Sequence, residues 1–232
     1  MKILALTYLP VRAKKKVYQK AVEHYHETMP FHDGSIRPTP SFHKELVGIS
    51  SLCRKEQLVN RVDEGDILLY FTTSAPYKCE KYNSSDERHS RLTAILEVVK
   101  VYKDTEYDSP HQMADDYYQS HGMVSPNNCF AGEDIEPRQE GCGIIDSNWE
   151  YKNVVAGYDK RVKDCSTYVI TRSIYKNVQT PIPLFKEDFE RILNVKLKNN
   201  TPFQQGKLNE LTNYQYRLLL DHVRKFGETI AE

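Results

Sequence analysis

Apolar residues in this chain come in short runs, and most of the runs read as strands. Residues 3–9 are apolar, rich in strand formers and closed by Pro10, which predicts an opening strand. Asp63, Glu64, Gly65 and Asp66 form a turn, and the nearly continuous apolar run 67–72 after it predicts a buried strand. Residues 92–102 predict a long strand with Ala94, Leu96, Val98 and Lys100 on one face, and 167–172 predict another. Helical spacing is confined to four places. Val17, Ala21 and Tyr25 recur at steps of four within 14–28, and Leu58, Val59 and Val62 mark the second half of 48–62. Residues 181–184 lead into a helix with Phe185, Phe189, Ile192 and Leu193 as its stripe. Thr212 caps a last helix that buries Tyr216, Leu219, Leu220 and Val223.

The remaining segments are punctuated or polar. Pro30, Gly34, Pro38 and Pro40 make 29–40 a loop, and 199–209 reads as a loop or short strand. Residues 75–90 carry no period and read as a mobile loop. Residues 103–157 hold Pro110, Pro126 and Pro137 and at most one helix, near 111–120, so they read as an insertion. There is no internal repeat and no low-complexity tract, which predicts one domain over 1–232 with insertions at about 75–90 and 103–157.

Composition narrows the classes. Hydrophobic residues make up 39% and charged residues 28%, enough apolar content for a true core. Equal counts of 32 basic and 32 acidic residues argue against a protein that coats nucleic acid through phosphate contacts alone. The charge is uneven, however: 104–150 is mostly acidic and 152–207 mostly basic, so a neutral total leaves room for a basic face. The five cysteines include no pair with the spacing of a zinc knuckle or redox motif. The opening apolar run is too short for a secretory signal, and no run is long enough to span a bilayer, so a cytoplasmic protein without membrane contact is expected. HExxH, P-loop, GxSxG and GxGxxG patterns are all missing, and neither a metal nor another cofactor is expected.

Three stretches carry a family resemblance. The first is Gly48, Ile49, Ser50 and Ser51 followed by a helix that ends at Glu64, Gly65 and Asp66. The second is the strand from Gly65 to Phe71, then a loop, then the strand from Ala94 to Tyr102. The third is Phe203, Gln204, Gln205, Gly206, Lys207 and Leu208, then Leu211, Thr212 and a closing helix. In this order they resemble the PUA-like superfamily, and EVE domains most closely, with YTH, ASCH and nucleotide-modification-associated domains as relatives. The resemblance covers about half the chain. It implies an α+β fold: a curved β-barrel flanked by short helices, with the insertions as long loops. It also implies a cleft on the barrel side that holds one flipped or unpaired base in DNA or RNA, often a modified one.

A base pocket needs aromatic faces, a few hydrogen-bonding groups and nearby cations. By resemblance Ser50, Ser51 and Tyr8 lie where relatives line the pocket. Ser50 or Ser51 as a helix cap, and Tyr8 as a core aromatic, are the competing readings. Thr72, Thr73 and Ser74 end the strand after Gly65 and Asp66 and offer polar contacts, with Tyr70 in the pocket or the core. Asn128 offers an amide or a turn, and Trp149 a cage wall or a loop anchor. Phe203, Gln204 and Gln205 offer a stacking face and two amides. Arg54, Lys55, Arg172, Lys176 and Lys207 are the candidate phosphate contacts, or ordinary surface. The expected partner is DNA or RNA carrying a modified base, with a nuclease or modification enzyme acting beside the domain. The alternative is an ASCH-like hydrolase or nuclease using Glu97 and Lys100, which lie three apart on a strand and so face opposite ways. A further alternative is a protein-interaction β-domain.

Overall fold

The computed structural model describes residues 1–10, 31, 45–50, 61–77, 87–103, 109–123, 166–194, 203 and 208–231. The elements are β1 (Ile3–Tyr8), β2 (Leu46–Ser50), β3 (Ile67–Thr72), β4 (Ser90–Lys103), α1 (Pro110–Ser120), β5 (Thr167–Lys176), β6 (Ile182–Leu184), α2 (Lys186–Leu193), β7 (Asn209–Leu211) and α3 (Asn213–Lys225). The fold is α+β. Seven strands form one mixed sheet in the order β2-β5-β4-β3-β1-β7, with β6 on β4. The β1–β3 pair is parallel and every other pair is antiparallel.

The expected closed barrel is corrected to an open sheet among the described residues, with β2 and β7 at its ends. Closure would need those two strands to pair. β7 has only three residues, and its register runs through Ile3 and Ile67 to Glu97 of β4. β2 instead runs through β5 to the other half of β4, where Ser50 aligns with Tyr168 and Tyr168 with Tyr102.

Both β1 and β3 are buried along their whole length, which explains their continuous apolar runs. Alternation splits their side chains between two cores. Ile3, Ala5, Ile67, Leu69 and Phe71 pack with Phe189, Ile192, Leu219 and Val223 under α2 and α3. Leu4, Leu6, Tyr8, Leu68 and Tyr70 pack on the other face with Val47, Ile49, Leu96 and Val98. A third cluster sets Ala114 and Tyr118 of α1 on Tyr168 and Ile170 of β5.

The turn before β3 is a structural latch. Gly65 has φ +85°, which favours glycine. Asp66 is buried, and its carboxylate accepts the amides of Lys2 at 2.6 Å and Asp63 at 3.0 Å. Together with the bond from the Ile67 amide to the Lys2 carbonyl at 2.9 Å, this fixes the parallel register of β1 on β3.

Several boundaries differ from the sequence expectation. Residues 46–50 form a strand that the sequence pattern does not mark. β4 begins at Ser90, inside the expected loop, because Ser90, Arg91 and Thr93 are polar yet buried. β5 continues to Lys176, and 182–184 is a strand. The helices at 110–120 and 186–193 agree with expectation. So does the Thr212 cap, whose hydroxyl accepts the Gln215 amide at 3.2 Å. The expected helix at 14–28 lies outside the described residues, as does the one in the second half of 48–62 except for Arg61 and Val62, the latter buried but not helical. No helix among the described residues is long and apolar enough to cross a membrane.

Candidate functional site

Polar and aromatic side chains gather where the parallel strands β1 and β3 end. Tyr8 and Thr72 are register partners there, and Tyr8, Tyr70 and Thr72 share one face. The rings of Tyr8 and Tyr70 meet edge-on at 6.2 Å. The Tyr8 hydroxyl donates to the Phe31 carbonyl, and the Phe31 amide donates to Val178 at 3.0 Å. The Phe31 ring lies edge-on to Tyr77 at 5.3 Å, Tyr77 edge-on to His89 at 5.7 Å, and His89 lies 4.8 Å from the ring of Phe185, just before α2. A connected line of rings therefore runs from Phe31 to the start of a helix.

Arg91 sits beside this line and is fully buried. Its guanidinium donates to the carbonyls of Pro181 at 2.9 Å and Tyr77 at 3.3 Å, and lies 5.8 Å from the Phe31 ring centre. A guanidinium stays charged, so these contacts offset part of a large desolvation cost. The Arg91 amide donates to the Thr72 hydroxyl at 2.9 Å. Arg88 donates to the Ser74 carbonyl at 2.6 Å, and the Tyr77 hydroxyl donates to the Thr73 carbonyl at 2.7 Å. Burial pushes the Tyr77 phenol up, so it stays protonated and remains a donor.

His89 is 1% exposed, and its pKa is pushed down to about 4, mainly by burial and secondarily by the Arg91 charge. The imidazole is therefore neutral near pH 7. Nδ1 lies 2.8 Å from the Glu87 carbonyl, which can only accept, so Nδ1 carries the proton and Nε2 presents its lone pair. Nε2 is buried without a hydrogen-bond partner among the described residues, as are the hydroxyls of Ser74 and Ser90. Polar atoms buried in this way ordinarily find partners, so such groups mark where water or a ligand would bind.

The structure brings together Tyr8, Tyr70, Thr72, Thr73 and Ser74 of the sequence-predicted set. It separates Phe203, whose ring is buried on the opposite face of the sheet against Phe71 and Phe189 at 5.4 and 6.3 Å and is a core ring. The backbone of Ser50 pairs with Tyr168, toward the far end of β4 from Thr72. Arg172 is paired with Glu97, and Lys100 with Glu64 at 3.0 Å. Burial lowers the pKa of Lys176. Ser51, Arg54, Lys55, Asn128, Trp149, Gln204, Gln205 and Lys207 lie outside the described residues.

Phe31, Tyr77, His89, Arg88 and Arg91 were not anticipated. The period-two alternation of Ser90, Leu92 and Ala94 against Arg91 and Thr93 was a strand signal available in the sequence. No group of three metal-ligating side chains occurs among the described residues. No protein-family model matches the chain, and no curated protein matches it either.

Proposed function

We propose that this chain is a PUA/EVE-like nucleic-acid-binding module that recognises a single flipped or unpaired, modified base. The observation that supports this reading is the meeting of Tyr8, Thr72, Thr73 and Ser74 with Tyr77, His89 and Arg91 at one end of the sheet. That end holds buried aromatic rings, hydroxyls, an imidazole acceptor and an arginine cation, the kinds of group a base pocket uses. Zero net charge suits a pocket reader that touches few phosphates. On this reading the domain works in the cytoplasm beside a nuclease or modification enzyme that acts on the same nucleic acid.

The test is fluorescence anisotropy with short single- and double-stranded DNA and RNA, plain and modified, at two salt concentrations, with each ligand then run on a gel. Tight binding of one modified oligonucleotide, left intact, supports the reader. Cleavage or base conversion replaces it with the hydrolase reading. Failure to bind any oligonucleotide removes it.

A further inference from the structure

His89 carries an inference of its own, which rests on the base-reading proposal. The imidazole is enclosed between Tyr77 and Phe185 and is almost fully buried. Its Nδ1–H is committed to the Glu87 carbonyl at 2.8 Å, which fixes the tautomer and the ring orientation. The remaining nitrogen is an acceptor with no partner among the described residues. Burial holds the ring in its neutral form, and the positive charge of Arg91, two residues along the chain, adds to the effect. A core histidine whose function was packing alone would gain by satisfying both nitrogens, because an unmet buried polar atom is costly.

We infer that His89 is a specificity-determining residue, whose Nε2 accepts a hydrogen bond from an exocyclic amino group of the bound base. The ligand class is then an amino-bearing base of the adenine or cytosine type. The same bases with an oxo group in place of the amine would set an acceptor against an acceptor. A site built to meet a hydrogen-bonding group discriminates strongly against ligands lacking it, because its own buried group is left unpaired. The arrangement needs no protonated histidine, and protonation of Nε2 would abolish the acceptor.

The experiment uses the full chain and single-stranded oligonucleotides that differ at one base, adenine against hypoxanthine and cytosine against uracil, unmodified and methylated. The expected result is roughly tenfold or tighter binding of the amino member of a pair. His89→Phe keeps a ring against Tyr77 and Phe185 and is expected to erase that preference while leaving residual binding. His89→Gln, whose side-chain oxygen can accept, is expected to retain part of it. The 15N shift of His89 Nε2 should move from that of a free acceptor to that of a hydrogen-bonded one on binding. Thermal melts of both variants separate loss of fold from loss of recognition. Equal binding of the paired bases, or a preference unchanged in His89→Phe, overturns the role of His89 and leaves base reading standing. No binding of any oligonucleotide by the unaltered chain overturns base reading itself.

Discussion

The hydroxyl of Thr72 accepts the backbone amide of Arg91 at 2.9 Å, deep in the protein. Together with the Phe71–Leu92 pairing and the bond from the Thr93 hydroxyl to the Tyr70 carbonyl at 3.0 Å, this bond ties the end of β3 to the start of β4, where the ladder slips register just after Tyr70. It also holds Arg91 at the depth where its guanidinium reaches Pro181 and Tyr77. Thr72→Val keeps the shape and removes the acceptor, leaving a buried amide unmet. A loss of about 1–3 kcal/mol in denaturant unfolding is expected, with Thr72→Ser closer to the parent.

Gly48 exists to let a tyrosine in. A Cβ at this position would overlap the Tyr168 hydroxyl, sit 2.8 Å from its Cζ and crowd Tyr118 at 3.1 Å. Gly48→Ala should therefore cost about 1–3 kcal/mol. Adding Tyr168→Phe removes the overlapping oxygen, so a double-mutant cycle should show partial rescue. Strict additivity would refute the steric account.

Asp66 carries the start of the parallel pair. Asp66→Asn replaces one of two accepting oxygens with a donor that faces the amide of Lys2 or Asp63. The expected cost is about 2 kcal/mol. Hydrogen exchange should show the loosened amides at Lys2, Ile67 and their neighbours before the rest of the sheet.

Stability should fall on the acid side because of the buried histidines. His89 is pushed from 6.5 to about 4, and burial also lowers His222. Each then binds its proton more readily when unfolded, so its contribution is full above about pH 6.5. That contribution is lost as pH falls through the folded pKa. For His89 it is on the order of 2–3 kcal/mol between pH 6.5 and 4. Unfolding free energy measured across this window should decline, and His89→Phe should flatten the decline. A profile identical to the parent's would show that His89 titrates normally.

The sequence revealed strands whose apolar pattern is local, and helices with a capping residue. Residues 67–72 and the Thr212 cap follow from neighbours in the chain. Other features depend on distant partners. The need for glycine at position 48 is not legible until Tyr168 is seen lying over it in a strand. His89 reads as loop, and Arg91 falls between that loop and the expected strand, until Phe185 and Pro181 enclose them. Phe203 beside two glutamines looked like a stacking face, yet a ring of that size finds more free energy in the core with Phe71 and Phe189. The polar end of β3 at Thr72, Thr73 and Ser74 was legible because three hydroxyl residues follow the buried apolar run, a pattern that also fits a plain core strand with a polar exit.

The most direct test of the account is an NMR titration of the isotopically labelled chain with the best-binding modified oligonucleotide. The account predicts that the largest shifts fall on residues 72–77 and 87–91 and on Tyr8, with small changes on α3. Saturation of the chain with its main shifts on α3 or along the β2 edge, and none at Thr73, Tyr77 or His89, would contradict it.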